Sequence, residues 1–459
     1  MRTLQKKACE WLDQRLSGTV FSWREIIRMT VPYVLDSISI FLIMMLTTAL
    51  ISKNGEESVA AVSLVNPIVG LVTCIFSGIG AGGTVVVAQS CGMGNPNVIR
   101  RTVAQVIWPT IGYGILACAP MMIVSKPLIA LLFPSAEPMV MQKAVAYFRG
   151  CLLASVPYAV YIAMFSTLRG MGESKKCLAL SVFINVAYLL FSILFLNVLS
   201  LDIRGSVLAL GLARVLGAIA AIALLFWVSP YVRMTWRDLM TFDGALMKKM
   251  LKVSVPLSLE QLFSNCGSIV AEVYMVMLGT SALAAHAVAN SLLGLLTSPA
   301  MAAGSLAVTV VGRCIGAEKP DEAGRYGVIS IMIGLILMAL TALIFYPLLP
   351  ALLTLYHPSA EAAITSTSLL WQSLPMLLLF WPVSYTIPYS LRACNDTLFP
   401  SVYSLAVMWI VNILLGYVLS ISLGLGLTGV WIANWAAWGV RAVGYFARFR
   451  RLKSYGFKR

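Results

Sequence analysis

The chain has 459 residues, of which 59% are hydrophobic and 11% are charged, and its mean hydropathy is +0.88. Soluble domains carry about 25% charged residues, so the composition excludes a soluble enzyme or a soluble binding domain. The net charge of +15 does not indicate nucleic-acid binding, because the basic residues lie in short loops beside apolar stretches. The composition instead predicts an all-α, polytopic membrane protein.

Residues 1–25 form a charged segment that we expect to lie in the cytoplasm. The segment has no apolar core of the kind that a signal peptide contains. Its apolar residues recur at helical spacing, so it either lies on the membrane surface or is a solvated tail.

Apolar stretches of roughly 20 residues can cross a bilayer as helices, and they follow one another through the rest of the chain. The first six predicted spans are 26–51, 58–89, 101–133, 139–167, 177–199 and 205–228. The next six are 250–277, 281–312, 325–355, 361–390, 398–422 and 428–449. We therefore predict twelve transmembrane helices in two six-helix lobes, 26–228 and 250–449. A cytoplasmic linker, 229–249, joins the lobes, and a cytoplasmic tail, 450–459, follows them.

Every second loop is rich in lysine and arginine, whereas the alternate loops carry few basic residues. Basic loops stay in the cytoplasm. We therefore expect both termini in the cytoplasm and a multi-pass protein in the plasma membrane. In a bacterium with two membranes, this is the inner membrane.

The two predicted lobes are repeats of each other, because shifting the sequence by 224 residues aligns them without a gap through the first two spans. The aligned pairs include Pro32 with Pro256, Asp36 with Glu260, Asn66 with Asn290, Gly80 with Gly304 and Arg101 with Arg325. Later in each lobe, "LRGMGES" at 168–174 matches "LRACNDT" at 391–397. Repeats of six spans each have the same membrane orientation, which predicts a pseudo-two-fold axis along the membrane normal and a substrate site between the lobes.

The nine cysteines are scattered, without a CxxC pair and without a histidine at metal-binding spacing. We therefore expect neither a disulfide framework nor a metal site. We also expect no cofactor and a monomer in the bilayer.

Three motifs recur at matching places in the two predicted lobes or at the end of the fourth span: "SVAAVSLVNPI" at 58–68, "LRGMGESK" at 168–175 and "ALAAHAVAN" at 282–290. They resemble the motifs of the multidrug and toxic compound extrusion (MATE) family of transporters. The resemblance implies an antiporter that exports organic cations and other amphipathic compounds while protons or sodium ions flow inward. The chain departs from the family at three positions. Thr47 and Trp381 stand where members carry an aspartate. Members also carry two asparagines one turn apart in the fifth span; Asn185 matches the first, but Leu189 stands in place of the second.

Three acidic residues lie within predicted spans, where an ionisable group is costly and indicates function. Asp36, Glu260 and Glu272 are the candidates for ion or proton coupling. The alternative is that Asp36 and Glu260 are cytoplasmic gate residues held by hydrogen bonds or by basic side chains. The repeat predicts that these two face the same central space at similar depth.

The candidates for substrate binding are Thr47, Asn185, Trp381 and Tyr385. The stretch "FWPVSYTIPY" at 380–389 combines prolines with aromatic residues, which either line an adaptable pocket or pack in the core. The asparagines within spans, Asn185 included, favour helix–helix hydrogen bonding over ligand binding. We expect His286 to be a structural hydrogen-bonder, Arg214 to snorkel or to pair, and "GIGAGG" at 78–83 to permit close helix packing.

The predicted function is secondary antiport of an amphipathic organic compound, expected to be cationic, in exchange for protons or sodium ions. The alternative is a flippase for a lipid-linked precursor, which would need a strongly basic cavity for the pyrophosphate. An intramembrane enzyme is disfavoured, because no span offers clustered carboxylates or a Ser/His pair.

Overall fold

A computed structural model describes residues 17–51, 56–133, 138–199, 201–228, 234–239, 241–354, 356 and 359–454, and every regular element within these ranges is helical. The first eight helices are α1 (Trp23–Ile51), α2 (Glu56–Gly92), α3 (Pro96–Ile123), α4 (Ser125–Leu132), α5 (Pro138–Gly170), α6 (Ser174–Ser192), α7 (Asp202–Ala223) and α8 (Trp236–Leu239). The others are α9 (Gly244–Val276), α10 (Thr280–Gly316), α11 (Pro320–Thr354), α12 (Ala360–Leu379), α13 (Trp381–Ala393), α14 (Leu398–Val407) and α15 (Gly426–Ser454). Wider π-helical turns extend α6 over Ile193–Val198, α7 over Leu224–Val228 and α14 over Met408–Leu415 and Val418–Ser422.

All twelve predicted spans coincide with helices. Within the described residues, ten helical stretches are long and apolar enough to cross a membrane. The predicted seventh and twelfth spans are not among them, although α9 and α15 are 33 and 29 residues long. Both of these helices include charged residues at their ends, which lowers their hydropathy. The prediction of an all-α polytopic membrane protein is confirmed.

Two spans predicted as continuous, the third and the tenth, are each broken into two helices. Val124 separates α3 from α4, and Phe380 separates α12 from α13. Each break comes two or three residues before a proline, Pro127 or Pro382. A proline inside a helix has no N–H to donate and its ring clashes with the carbonyl four residues earlier. The apolar pattern continues across both breaks, so hydropathy alone predicted one helix in each case.

Several helices also begin before the apolar stretch that predicted them. The third predicted span starts at residue 101, whereas α3 starts at Pro96. The side chain of Asn95 accepts a hydrogen bond of 3.0 Å from the backbone N–H of Asn97. This N-cap and the proline that follows it fix the start of the helix in the polar loop.

The structure divides into two compact units. Unit 1 contains the residues up to 38, 92–94 and those from 266 onward; unit 2 contains 39–91 and 95–265. Helices α1 and α9 are thus each divided between the two units, α1 after Ile38 and α9 after Asn265. The lobe boundaries that we predicted from the repeat follow chain order and stay a prediction.

Unit 2 has a core of fully buried apolar side chains from α2, α4 and α5, including Val65, Phe76, Ile129 and Phe148. Glycines bring α2 directly against the first part of α9. A Cβ added at Gly82 would lie 2.8 Å from the Cα of Ser254. The prediction that "GIGAGG" permits close helix packing is confirmed.

Unit 1 packs the first part of α1 against α10 and α11. The hydroxyl oxygens of Tyr33 and Thr309 lie 3.5 Å apart. The hydroxyl of Tyr326 donates a hydrogen bond of 2.7 Å to the carbonyl of Phe21, just before α1 begins. A larger apolar cluster joins α10, α11, α12 and α15 around buried side chains such as Trp431.

Candidate functional site

A cavity of about 220 Å³ lies within unit 1, and we call it the acidic cavity because Glu272 lines it. Polar side chains from four helices form much of its wall. The lining residues are Ser268, Ala271, Glu272, Tyr274, Met275, His286, Asn290, Met408, Asn412, Val430, Trp431 and Asn434.

Helical spacing brings these polar groups to one place. Ser268 and Glu272 are four residues apart on α9, and His286 and Asn290 are four residues apart on α10. Residues with this spacing lie on the same face of a helix. Asn412 belongs to the wide turns Met408–Leu415, and π-helical turns are frequent at functional sites.

Three buried polar atoms of the acidic cavity have no hydrogen-bond partner among the described residues. They are the hydroxyl of Tyr274, Nδ1 of His286 and Nε1 of Trp431. The rings of His286 and Trp431 meet edge to face, with centroids 5.9 Å apart. Buried polar groups are almost always hydrogen-bonded to protein or to water. The acidic cavity therefore presents three unpaired polar groups together with the carboxylate of Glu272.

A second cavity, of about 330 Å³, lies within unit 2, and we call it the basic cavity because Arg214 lines it. Its other lining residues are Ile40, Ile43, Tyr158, Tyr161, Ser181, Ile184, Asn185, Tyr188, Leu210 and Ala213. No carboxylate is among these described residues. Arg214 is half-buried, and its Cζ atom lies 4.3 Å from the centroid of the Tyr158 ring.

A row of aromatic rings runs along α5 from the basic cavity, and we call it the α5 row: Tyr158, Tyr161 and Phe165. Neighbouring rings are stacked, with centroids 6.0 Å and 5.5 Å apart. The Cζ atom of Arg169 lies 4.8 Å from the centroid of the Phe165 ring. The row therefore has a guanidinium group at each end, Arg214 and Arg169.

The three candidate acids lie in different surroundings. Glu272 lines the acidic cavity. Asp36 is 2% exposed and lies in unit 1, whereas Glu260 is 7% exposed and lies in unit 2. Neither Asp36 nor Glu260 is among the described residues that line the acidic or the basic cavity. The predictions of a coupling or gating role and of a shared central space for these two stay predictions.

The four candidates for substrate binding are also separated. Asn185 lines the basic cavity, where its Nδ2 donates to the hydroxyl of Ser181 over 3.4 Å. Trp381 and Tyr385 lie on α13 of unit 1, stacked with centroids 4.9 Å apart and planes 6° apart. Thr47 belongs to α1, but its side chain lies outside the part of the chain that the structure describes.

Sequence reasoning gave two cavity residues other roles. His286, expected to be a structural hydrogen-bonder, lines the acidic cavity with an unpartnered Nδ1. Arg214, expected to snorkel or to pair, lies midway along a span and lines a cavity. A usable signal for His286 was the repeat itself, since the 224-residue shift through the first two spans pairs it with Val62. A polar residue in one repeat opposite an apolar residue in the other marks a position that the common scaffold does not require.

Comparison with known proteins gives consistent matches over nearly the whole chain. The MatE family model matches residues 32–195 and 256–418. The chain is 25% identical over 438 residues to the probable multidrug resistance protein YoeA of Bacillus subtilis, covering 89% of this chain and 92% of that protein. It is 26% identical over 445 residues to the probable multidrug resistance protein NorM of Bradyrhizobium diazoefficiens, covering 93% of each.

Solved structures agree with these sequence matches. A crystal structure of MATE in complex with MaL6 superposes with a TM-score of 0.87 at 20% identity, covering 94% of this chain and 96% of that one. An outward-facing multidrug resistance MATE family transporter of the MOP superfamily superposes with a TM-score of 0.85 at 20% identity, covering 94% and 96%. This likeness confirms the predicted class of fold, with twelve helices in two lobes. The chain therefore belongs to the MatE family of membrane transporters, as its motifs predicted.

Proposed function

We propose that this chain is a secondary antiporter that exports amphipathic organic compounds in exchange for protons or sodium ions. The observation that carries the proposal is the acidic cavity, where Glu272 lines the same wall as three buried polar atoms that lack a partner among the described residues. An acid inside a transmembrane helix is costly and defaults to a functional role. The printed names of the relatives as probable multidrug resistance proteins support the export of diverse compounds.

The chemistry of the acidic cavity suits a coupling ion. A carboxylate with the amide oxygens of Asn290, Asn412 and Asn434 offers the oxygen ligands that hard cations take. Protonation of Glu272 would neutralise the same charge. An ion can shift a conformational equilibrium only through a difference in its affinity for the two states. Binding at Glu272 supplies that difference if one state opens the cavity to the outside and the other to the cytoplasm.

Flux measurements with purified protein in liposomes test the proposal. A sodium gradient at uniform pH and a proton gradient without sodium are imposed separately, and each is tested with a cationic probe, ethidium, and an anionic probe, 1-naphthoate. We expect one of the gradients to drive the movement of at least one probe, and Glu272→Gln to reduce that movement to the level of empty liposomes. Glu361→Gln is the matched control, because Glu361 is an exposed residue in the first turn of α12.

Movement that neither gradient affects, or full activity of Glu272→Gln beside wild type, would contradict the proposal. If no gradient drives either probe and a deletion strain accumulates a lipid-linked precursor, the results favour the flippase alternative.

The proposed location is the plasma membrane, with both termini in the cytoplasm. The support is the alternation of basic and non-basic loops. In a cysteine-free background, a cysteine at position 58 or 280 should react with an impermeant reagent from outside intact cells, and one at position 97 or 321 should not. The reverse pattern would overturn the orientation.

A further inference from the structure

We infer that the basic cavity binds the anionic group of an aromatic substrate, with Arg214 as the anchor. The inference rests on the proposed transport function and names a substrate class for it: anionic aromatic compounds that carry a carboxylate or a similar oxyanion.

The first observation is the position of the charge. Arg214 is twelve residues from each end of the candidate span Asp202–Phe226, which is roughly 18 Å at the 1.5 Å rise of an α-helix. A side chain near a helix end can snorkel to the interface, but an arginine at this depth cannot reach it easily. A lipid headgroup at the normal bilayer surface is equally distant, so a small molecule is the better source of the anion.

The second observation is the state of the guanidinium group. Its Nη1 atom is buried and has no hydrogen-bond partner among the described residues. A guanidinium group has five N–H donors in a planar fork that fits a carboxylate with two parallel hydrogen bonds. Leaving such donors unpaired inside a membrane protein is unfavourable. The geometry is that of a binding group whose partner arrives with the substrate.

The third observation is the aromatic wall. The Tyr158 ring, 4.3 Å from Cζ of Arg214, supports the plane of the guanidinium group by a cation–π contact. Tyr161 continues the stack at an interplanar angle of 18°, and Asn185 adds an amide to the same cavity. A cavity of about 330 Å³ has room for a small aromatic ring system. The cavity therefore offers flat apolar surface beside a single positive charge.

A series of naphthalene derivatives with matched size isolates the charge preference. The probes are 1-naphthoate, the neutral 1-naphthamide and the cationic 1-naphthylmethylammonium, and binding to the purified full-length protein is measured by equilibrium dialysis. We expect 1-naphthoate to bind about tenfold tighter than the other two, since a charge-assisted bidentate pair is roughly twice as strong as a neutral hydrogen bond. A preference for the cation or the amide over 1-naphthoate would overturn the inference without any variant.

Variants then locate the charge. Arg214→Met keeps an unbranched apolar side chain but removes the guanidinium group. It should remove the preference for 1-naphthoate, while 1-naphthamide binds as before. Arg214→Lys should restore part of the preference. The control is Arg204→Met, on the same helix but exposed and outside the cavity. An equal loss for the acid and the amide in Arg214→Met would show that Arg214 only supports the structure.

Failure of this inference and failure of the proposed function give different results. Dialysis tests the basic cavity without any gradient. Tight 1-naphthoate binding that depends on Arg214, together with no gradient-driven movement of any probe, would refute antiport and leave the binding site standing. Gradient-driven movement of ethidium without selective binding of 1-naphthoate would refute the anionic site in the basic cavity and leave antiport standing.

Discussion

The acidic cavity of unit 1 and the basic cavity of unit 2 use helices that correspond in the internal repeat, yet they carry opposite charge. The acidic cavity is lined from α9, α10, the turns that extend α14, and α15, which are the seventh, eighth, eleventh and twelfth spans. The basic cavity is lined from α1, α5, α6 and α7, which are the first, fourth, fifth and sixth spans. Three of the four helices around each cavity thus correspond in the repeat, and they form cavities of different chemistry.

Substitutions at paired positions contribute to the difference. The 224-residue shift holds before the sixth and twelfth spans, because the backbone N–H of Leu201 donates to the carbonyl of Phe195 and that of Leu425 donates to the carbonyl of Leu419. It pairs Arg214 with Trp438 and Leu210 with Asn434. Trp438 is buried in the apolar cluster of unit 1, whereas Asn434 lines the acidic cavity. The repeat preserves the helices that surround a cavity, and a few side chains decide which charge the cavity attracts.

The aromatic rows show the opposite behaviour, because they are alike in the two units. On α13, Trp381, Tyr385 and Tyr389 form the α13 row, and the Cζ atom of Arg392 lies 5.3 Å from the Tyr389 ring. Each row starts eleven residues before an arginine, with Tyr158 before Arg169 on α5 and Trp381 before Arg392 on α13. The rows therefore belong to the shared scaffold.

A glycine contact behind each row provides the strongest test of that shared scaffold. A Cβ at Gly80 would lie 2.8 Å from Cγ2 of Ile162, and a Cβ at Gly304 would lie 3.0 Å from Cε1 of Tyr385. We expect Gly80→Leu and Gly304→Leu each to lower the free energy of unfolding by about 2–3 kcal/mol, because overpacking forces side chains off their rotamers. The measurement is the thermal midpoint of the purified protein.

Gly70→Leu is the control for this pair, because nothing lies within 4 Å of a Cβ at Gly70 on the same helix as Gly80. Should one of the two contact glycines tolerate leucine as well as Gly70 does, the two units would not share this contact in energetic terms.

The cavities predict a reciprocal pair of smaller effects. His286→Phe keeps a ring against Trp431 but removes both imidazole nitrogens, including the buried Nδ1, from the wall of the acidic cavity. We expect the sodium or proton concentration for half-maximal flux to rise about tenfold, which is roughly 1.4 kcal/mol. Asn185→Leu changes the basic cavity and should weaken substrate binding while the ion dependence stays the same. Both quantities come from liposome flux with ion and probe varied in turn.

The same change in ion dependence for both variants would show that the two cavities do not have separate roles. No change for His286→Phe would remove the acidic cavity as the place where the coupling ion binds.

The sequence predicted the helices well and the cavities less well, for physical reasons. Long apolar stretches and the alternation of basic loops report the membrane directly, and all twelve predicted spans are helices. Hydropathy does not detect the helix breaks at Val124 and Phe380, because the prolines that follow them lie in apolar sequence. Helix starts such as Pro96 depend on capping groups that lie outside the apolar stretch.

Cavity residues are harder to predict because their roles depend on which helices meet. Glu272 was a candidate because a carboxylate within a span is conspicuous. Asn290, Asn412 and Asn434 come from three different helices, and only the structure brings them to one wall. Arg214 was expected to snorkel or to pair, and only the structure shows that it stacks on Tyr158 and that its Nη1 has no partner among the described residues.

The smallest expected effect concerns how the α13 row is held. The hydroxyl oxygens of Tyr385 and Tyr389 lie 3.0 Å apart, whereas the α5 row has the Arg214 guanidinium group over its first ring. Tyr385→Phe removes one hydroxyl and keeps the ring on Trp381, so we expect a loss of about 1 kcal/mol, typical of a single hydrogen bond. A double-mutant cycle with Tyr389→Phe, read from thermal unfolding, should give a coupling energy of similar size. If the two losses simply add, the hydroxyl pair does not hold the α13 row, and stacking on Trp381 alone accounts for its order.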